Sequence, residues 1–410
     1  MSNGQVIVVG GGAAGLLGSI FAARGGAKVV LLESTSDGGR KILISGGGRC
    51  NVLPSEIDPS RYITDSSRNT LKKLLRAWPL DEQKAFFEKD LRIPLALEDE
   101  TGKLFPASNK ARDIRDGLTR HAAELGVEIR FGSPVREIRR SADGDWVART
   151  GAGTHTGRCL VMATGGLSVP QTGSDGWGLE ALGQLGHSLN PTYPALTPLT
   201  ANPPVHAALA GVSLRVGLSA PPPGGPLSFD GGFLFTHRGY SGPSVLNLSH
   251  VAVRAENAEA QPIFVRWGDL DEEGWRGLLT EGGAGRVLSV IRQHLPTRLA
   301  ERLVAESGVD GDRPLAQLRR EERSRLITML TSYPLPWSGD EGYKKAEVTG
   351  GGVALGAVHA DTLESRISPG LFICGEMLDA FGPIGGYNFA WAWATGRTAG
   401  KSAAAVACGP

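Results

Sequence analysis

The residues best placed to do chemistry stand near the start of the 410-residue chain, where glycines fall at Gly10, Gly12 and Gly15. The run Val6 to Val9 before them is apolar and has the length of a buried strand, and Leu16 to Ala23 after them repeats at helical spacing. In that setting a glycine turn binds a pyrophosphate. The first glycine makes the turn, the second lets phosphates approach the backbone, and the third lets helix and strand pack closely. The helix start, with Ala13 and Ala14 after Gly12, adds unpaired N–H groups that favour an anion. A second apolar run, Lys28 to Leu32, leads into Glu33 and Ser34, a position from which a carboxylate accepts the hydroxyls of an adenosine ribose.

NAD and FAD share this fingerprint, so two other segments must choose between them. From Arg40 and Lys41 the chain runs through three glycines ending at Gly48 into Arg49, Cys50 and Asn51. Glycine there lets backbone lie against a flat ring or a phosphate. Toward the other end, Gly375 and Glu376 close an apolar strand, and Gly386, Tyr387, Asn388 and Phe389 open a helix. Its first N–H groups favour negative charge, as on the N1–C2 carbonyl edge of a reduced flavin. A surface helix terminus contributes only about 0.3–1 kcal/mol to an anion, whereas a preorganised donor set in a dry site contributes several. The cofactor site is therefore expected to be FAD-binding and to draw on both ends of the sequence.

Side chains do not carry a hydride reversibly, which leaves the flavin as the redox centre. Cys50, Cys159, Cys374 and Cys408 form no CxxC pair, which disfavours dithiol chemistry, a disulfide framework and a structural metal. Cys50 is a candidate proton donor or charge-transfer neighbour, its thiol activated by adjacent Arg49, or else a small side chain packed under the ring. Tyr240 and Tyr387 are weaker candidates for proton transfer. Trp391 and Trp393, two residues apart, cannot share a helix face and are expected in the core.

These residues need a scaffold larger than one hydrophobic core, so one nucleotide-binding domain plus a smaller one is expected. Leu71 to Lys89 and Ala111 to Leu125 read as helices, Val127 to Phe131 as a strand, and Val135 to Arg139 with Asp145 to Arg149 as a hairpin. Cys159 to Ala163 is a further buried strand, ending at Thr164 and Gly165. Beyond Pro191 prolines cluster, again at 221 to 223, between β-rich runs such as Gly231 to Thr236. The expected division is 1–195 for the first part of the cofactor domain, 196–345 for an inserted β-rich domain with a helical portion at about 281–332, and 346–410 for the second part. A net charge of +1 gives no global attraction to nucleic acid or anionic membrane. Local arginines (Arg112, Arg115 and Arg120, or the run Arg319 to Arg325) are candidate phosphate contacts, although Glu321 and Glu322 interrupt the second set. With no basic leader and no apolar stretch of membrane-spanning length, a soluble cytoplasmic protein is expected.

The chain resembles the BaiN/RdsA-type flavoproteins, long labelled NAD(FAD)-utilising or aminoacetone-oxidase-like. The resemblance runs through Arg40-Lys41, Ser45 to Asn51, Ala163 to Gly166, Phe235 to Pro243, Gly350 to Val353, Gly375 to Asp379 and Gly385 to Asn388. It implies an α/β, Rossmann-like FAD-binding domain of the glutathione-reductase type, interrupted by a β-barrel-like domain carrying a small helical portion. By the same resemblance Gly10, Gly12, Ala14 and Gly15 hold the pyrophosphate and Glu33 the ribose. Arg40, Lys41 and Asn51 line the cofactor, and Val135 presents its backbone to the adenine. Ala163 to Gly165 close over the dinucleotide, and Glu376 with Gly386 to Phe389 meets the ribityl chain and ring. His237, in a shared segment and expected to face the domain interface, is a candidate acid or base for hydride transfer. The implied activity is an NAD(P)H-fed flavin reductase acting on an activated C=C or C=N bond, the substrate being a small molecule or ribosomal RNA. The alternatives are a peroxide-producing amine oxidase and a flavoprotein that docks ribosomal RNA and forms dihydrouridine. With one dinucleotide fingerprint, NADH or NADPH would dock only transiently.

Overall fold

The computed structural model describes residues 4–221, 227–281 and 285–409; Pro222, Pro223 and residues 282–284 of the expected helical portion lie outside them. Contacts divide the chain into two compact units, Met1–Tyr193 with Val348–Pro410, and Pro194–Glu347.

The first unit is built on a five-stranded parallel sheet made of β1 (Gln5–Val9), β2 (Lys28–Leu32), β3 (Glu128–Arg130), β4 (Cys159–Met162) and β5 (Leu371–Ile373). Its order is β5-β4-β1-β2-β3. The chain thus steps outward from β1 through β2 to β3, then returns to the other side of β1. Val9 lies in register with Leu32 on one side and Met162 on the other. A parallel sheet reversing direction at β1 and β4 leaves a crevice beyond the carboxyl ends of those strands, and dinucleotides bind at such a switch point. The inner strands β1, β2 and β4 and the edge strand β5 are apolar and buried apart from Gln5 and Lys28 at their starts, as a sheet covered on both faces requires, whereas the edge strand β3 is polar and largely exposed.

Around this sheet lie α1 (Ala13–Arg24), the short α2 (Arg40–Ile44), α3 (Ala111–Glu124) and the long α4 (Tyr387–Cys408). The helices α1 and α4 touch backbone to backbone: a Cβ on Gly396 would lie 2.3 Å from the Ala14 carbonyl oxygen, and one on Gly400 2.1 Å from that of Gly18. This close crossing is how the last segment of the chain is fixed against the first. Trp391 and Trp393 are both in the core, the indole N–H groups donating to the Gly375 and Val52 carbonyls at 3.1 and 3.0 Å.

The single helix expected over Leu71 to Lys89 is broken. Helices at Arg68–Arg76 and Leu80–Ala85 are separated by Ala77, Trp78 and Pro79, and a wide turn follows at Phe86–Asp90. Pro79 has no N–H to donate and drives the residue before it out of the helical region. The hairpin Val135–Arg140 with Trp146–Thr150 is present and gains a third strand, Gly153–Gly157.

The second unit holds a seven-stranded antiparallel sheet that includes Ser213–Ala220, Leu227–Phe235, Gly239–Ser241 and Phe264–Trp267. Phe233, Phe235, Trp267 and Trp275 fill its core, with Thr297–Glu306 and Arg320–Thr331 among its helices. Among the described residues no helix is long and apolar enough to cross a membrane, and no cluster of His, Cys, Asp and Glu could hold a metal ion.

Candidate active site

At the switch point the glycines divide by what surrounds them. A Cβ on Gly10 would lie 2.4 Å from the Ala163 carbonyl oxygen, and one on Gly15 only 1.8 Å from that of Gly10, so packing alone demands both. A Cβ on Gly12 would meet nothing within 4 Å, and the residue's φ of −81° is open to any amino acid. Neither conformation nor protein packing requires glycine there. A ligand lying against the backbone would. Gly12 is also the N-cap of α1, with no side-chain cap and no acidic residue in the first turn, so that terminus offers bare N–H groups to an anion. Ala163, whose N–H donates to Val9 at 2.9 Å, and Gly165 border the same crevice.

Glu33 closes the end of β2 and is buried. One oxygen accepts the Gly11 N–H at 2.5 Å; the other accepts the Thr35 N–H and hydroxyl at 2.7 and 2.6 Å, with the Ser34 hydroxyl at 3.4 Å. Ser133 N–H donates to the Glu33 carbonyl at 2.8 Å, which brings the start of the hairpin, two residues before Val135, beside the carboxylate. A carboxylate at the tip of β2, next to bare helix N–H groups, is the donor and acceptor set of an adenosine diphosphate half.

The other end of the crevice is lined by side chains that hold one another. Arg40 binds Asp37 at 2.7 Å and Ser36 at 3.0 Å. With its amide oriented to satisfy both neighbours, Asn51 accepts the Gly386 N–H at 3.0 Å and donates to the Leu53 carbonyl at 3.1 Å, tying the glycine-rich loop to the start of α4. Asn388 spends its amide on both backbone groups of Gly382 at 2.9 Å. The Tyr387 hydroxyl accepts from Arg61 at 3.0 Å, and Phe389 stacks on Trp393 at 5.3 Å. Like α1, α4 begins at a glycine with no side-chain cap and no acid in its first turn.

Glu376 is the centre of a set that sequence spacing did not assemble. One oxygen accepts Lys41 Nζ at 2.7 Å, and the other accepts the Ser168 hydroxyl at 2.6 Å and the Thr349 N–H at 3.0 Å. Lys41 also donates to Ser168 at 2.8 Å. Burial pushes the Glu376 carboxyl up, but the Lys41 ammonium and the three hydrogen bonds outweigh it and hold the group below its ordinary value. Ser168 and Thr349 were missed because neither carries a motif; only their arrival at one carboxylate marks them.

Three expectations are corrected: an activated Cys50, arginines free to meet phosphates, and Tyr240 as a proton carrier. Arg49 does not activate Cys50: its guanidinium binds Glu98 at 3.0 Å and lies 4.0 Å from the centre of the Phe105 ring, so its charge is spent elsewhere than on the cofactor. Cys50 has no exposed surface, and burial pushes its thiol up to about 12. A thiol so held is a packed side chain rather than a thiolate. Arg115 is not available to phosphates, being 8% exposed on α3 with its guanidinium on the Asp37 and Gly38 carbonyls at 3.3 and 3.5 Å and against Asp116. In the second arginine run, Arg323 and Arg325 likewise donate to the Leu318 and Ser307 carbonyls. His237 lies exposed at the turn between strands Leu227–Phe235 and Gly239–Ser241. Tyr240 is buried and hydrogen-bonded to His206 at 2.9 Å and to the Pro336 carbonyl at 3.0 Å.

Comparison with known proteins agrees with this geometry. The HI0933-like protein Rossmann domain matches residues 4–402, nearly the whole chain. The chain belongs to the HI0933-like family. A ribosomal RNA dihydrouridine synthase of Escherichia coli K12 is 34% identical over 362 residues, covering 87% of each chain. A 3-dehydro-bile acid delta(4,6)-reductase of Clostridium scindens is 31% identical over 387 residues, covering 89% of this chain and 90% of that one. Among solved structures, the open form of a flavocytochrome c3 fumarate reductase superposes with a TM-score of 0.51 at 18% identity, over 98% of this chain and 78% of that one, a likeness of fold. This HI0933-like protein is a flavin-dependent oxidoreductase with a Rossmann-type FAD-binding domain. FAD fits the residues present: the open space at Gly12 admits a pyrophosphate, Glu33 suits the adenosine ribose, and the loop from Arg40 to Asn51 with the start of α4 faces the remaining half.

Proposed function

We propose that this HI0933-like protein is an NAD(P)H-fed, FAD-dependent reductase of a C=C bond conjugated to a carbonyl group. The observation that carries the reading is the pairing of two relatives: a uridine ring in RNA and a dehydro-bile acid share no shape, but the product named for the first enzyme and the delta(4,6) reduction named for the second both imply saturation of a C=C bond. Bound FAD would supply the hydride. The chain's own residues bind and orient it: bare N–H groups at Ala13 to Gly15 hold the pyrophosphate, Glu33 the ribose, and Asn51 fixes the start of α4 against the loop beside the ring. Cys50, Trp391 and Trp393 are buried in the core that backs the loop and the start of α4. His237 is the candidate proton donor on the second unit, exposed and therefore free to meet a substrate.

Ribosomal RNA is favoured as the substrate by two relatives bearing that name, at 34% and 31% identity. The cysteines Cys50, Cys159, Cys374 and Cys408 are all unpaired, which supports a reducing, cytoplasmic setting. Anaerobic mixing of the FAD-loaded protein with NADH and with NADPH tests the donor: bleaching of the flavin by one of them is expected, and bleaching by neither overturns it. Reoxidation by ribosomal RNA with dihydrouridine appearing in it identifies the first substrate; reoxidation by a conjugated steroid ketone alone identifies the second. Peroxide formed from an amine without pyridine nucleotide contradicts both.

A further inference from the structure

The set around Glu376 has a consequence beyond binding. Its members come from four separate places: Lys41 from α2, Ser168 from the loop after β4, Thr349 from the strand by which the chain re-enters the first unit, and Glu376 from the turn after β5. They form one closed network. The Thr349 hydroxyl accepts the Leu167 and Ser168 N–H groups at 2.7 and 3.1 Å, while its own N–H and the Ser168 hydroxyl both go to the same carboxylate oxygen. Gly166 makes room for it, since a Cβ there would lie 2.3 Å from the Thr349 hydroxyl and 3.0 Å from Glu376.

The network also lies in the wall of the cofactor crevice. Gly375, the residue before Glu376, sits against the start of α1, where its Cβ would be 2.8 Å from that of Ala14. Its N–H and carbonyl are held by Thr395 and Trp391 of α4, at 3.0 and 3.1 Å. Glu376 thus follows a residue pinned between the start of α1 and the body of α4, with its side chain 17% exposed and that of Lys41 27% exposed. A carboxylate and an ammonium fixed 2.7 Å apart form a dipole whose direction the protein does not allow to vary.

We propose that Lys41, Ser168 and Thr349 are positioning residues that hold Glu376 ionised and oriented, and that this fixed charge pair sets the reduction potential of the bound flavin. The proposal rests on the FAD reading above. Reduction adds electron density to the flavin, so a nearby negative charge opposes it and a nearby positive charge favours it; in a crevice of low dielectric neither is well screened.

The test is spectroelectrochemical titration of FAD-loaded wild type, E376Q, K41M, K41R and S168A, with FAD dissociation constants measured alongside. E376Q removes the negative charge and is expected to raise the midpoint potential. K41M removes the positive charge and is expected to lower it, while K41R keeps the charge and stays near wild type. S168A leaves both charges but takes a donor from the carboxylate, and is expected to give a smaller downward shift. A purely structural network moves E376Q and K41M in the same direction or not at all, and that result overturns the proposal. Should either variant fail to hold FAD, an S168A potential equal to or above that of wild type overturns it. Failure of wild type itself to bind FAD overturns the FAD reading instead.

Discussion

The two ends of the cofactor crevice are made in different ways. At the expected phosphate end, from Gly10 to Gly15, side chains are nearly absent and a ligand would meet backbone, with open space at Gly12. At the ring end the polar side chains are present but engaged with the protein: Arg49 with Glu98, Asn51 with Gly386, Asn388 with Gly382, Lys41 with Glu376. Recognition of a pyrophosphate needs only N–H groups and room, so it is written in glycine spacing. Placing a flat ring needs a rigid frame, and most of the motif residues there are that frame.

The comparison is broken most severely at Gly15. In G15A the new Cβ falls on the Gly10 carbonyl, and the loss of a folded first unit is expected, read as insoluble protein or an absent cooperative thermal transition. An ordinary transition in G15A would mean that the turn is not backbone-packed as described.

Arg115 tests the frame behind the Asp37–Gly39 turn. R115A leaves Asp116 and two carbonyls without their cation, while Asp37 keeps Arg40, at an expected cost of about 1–3 kcal/mol in denaturant unfolding. A surface arginine reserved for RNA phosphates would change stability by less than about 0.5 kcal/mol.

Acid separates the scaffold from both ends. His187, His206 and His250 are buried, and burial lowers the pKa of each in the folded state, that of His250 to about 4. Folded and unfolded states are both neutral at these positions above about pH 6.5, so stability is full there. As pH falls below that value the unfolded chain takes up protons that the folded one refuses, and stability is lost progressively toward pH 4. Thermal unfolding of the flavin-free protein between pH 8 and pH 5 is expected to show a falling midpoint; a flat or rising profile contradicts these environments.

The smallest effect concerns thiols. At pH 8 iodoacetamide is expected to label exposed Cys408 in the native protein and to leave Cys50 unmodified. Rapid labelling of Cys50 would restore it as an activated group.

Legibility followed the same division. The units β1, α1 and β2 could be read from apolar runs, helical spacing and the glycines because each contact there is local in sequence. The start of α4 at Tyr387 was likewise signalled by Gly385 and Gly386. The partners of Glu376 could not be read, since Lys41 is 335 residues away and Ser168 is 208. Nothing in a lone lysine or serine announces such a meeting; the parallel sheet brings them together. The activation of Cys50 by Arg49 failed for a related reason. Adjacency in the chain does not mean adjacency of side chains, and Phe105 and Glu98 offered the guanidinium a better place. The third strand Gly153–Gly157 went unseen because its sequence, Gly-Thr-His-Thr-Gly, has no apolar alternation.

A dinucleotide lying against backbone at Gly12 is tested by G12A without disturbing the frame. The flavin-free variant is expected to unfold within about 3 °C of wild type, because alanine for glycine at an N-cap costs about 1 kcal/mol or less. Titration with FAD, followed by quenching of flavin fluorescence, is expected to show an affinity lower by about 100-fold or more, near 2.7 kcal/mol. An unchanged FAD affinity in a well-folded G12A would contradict the account.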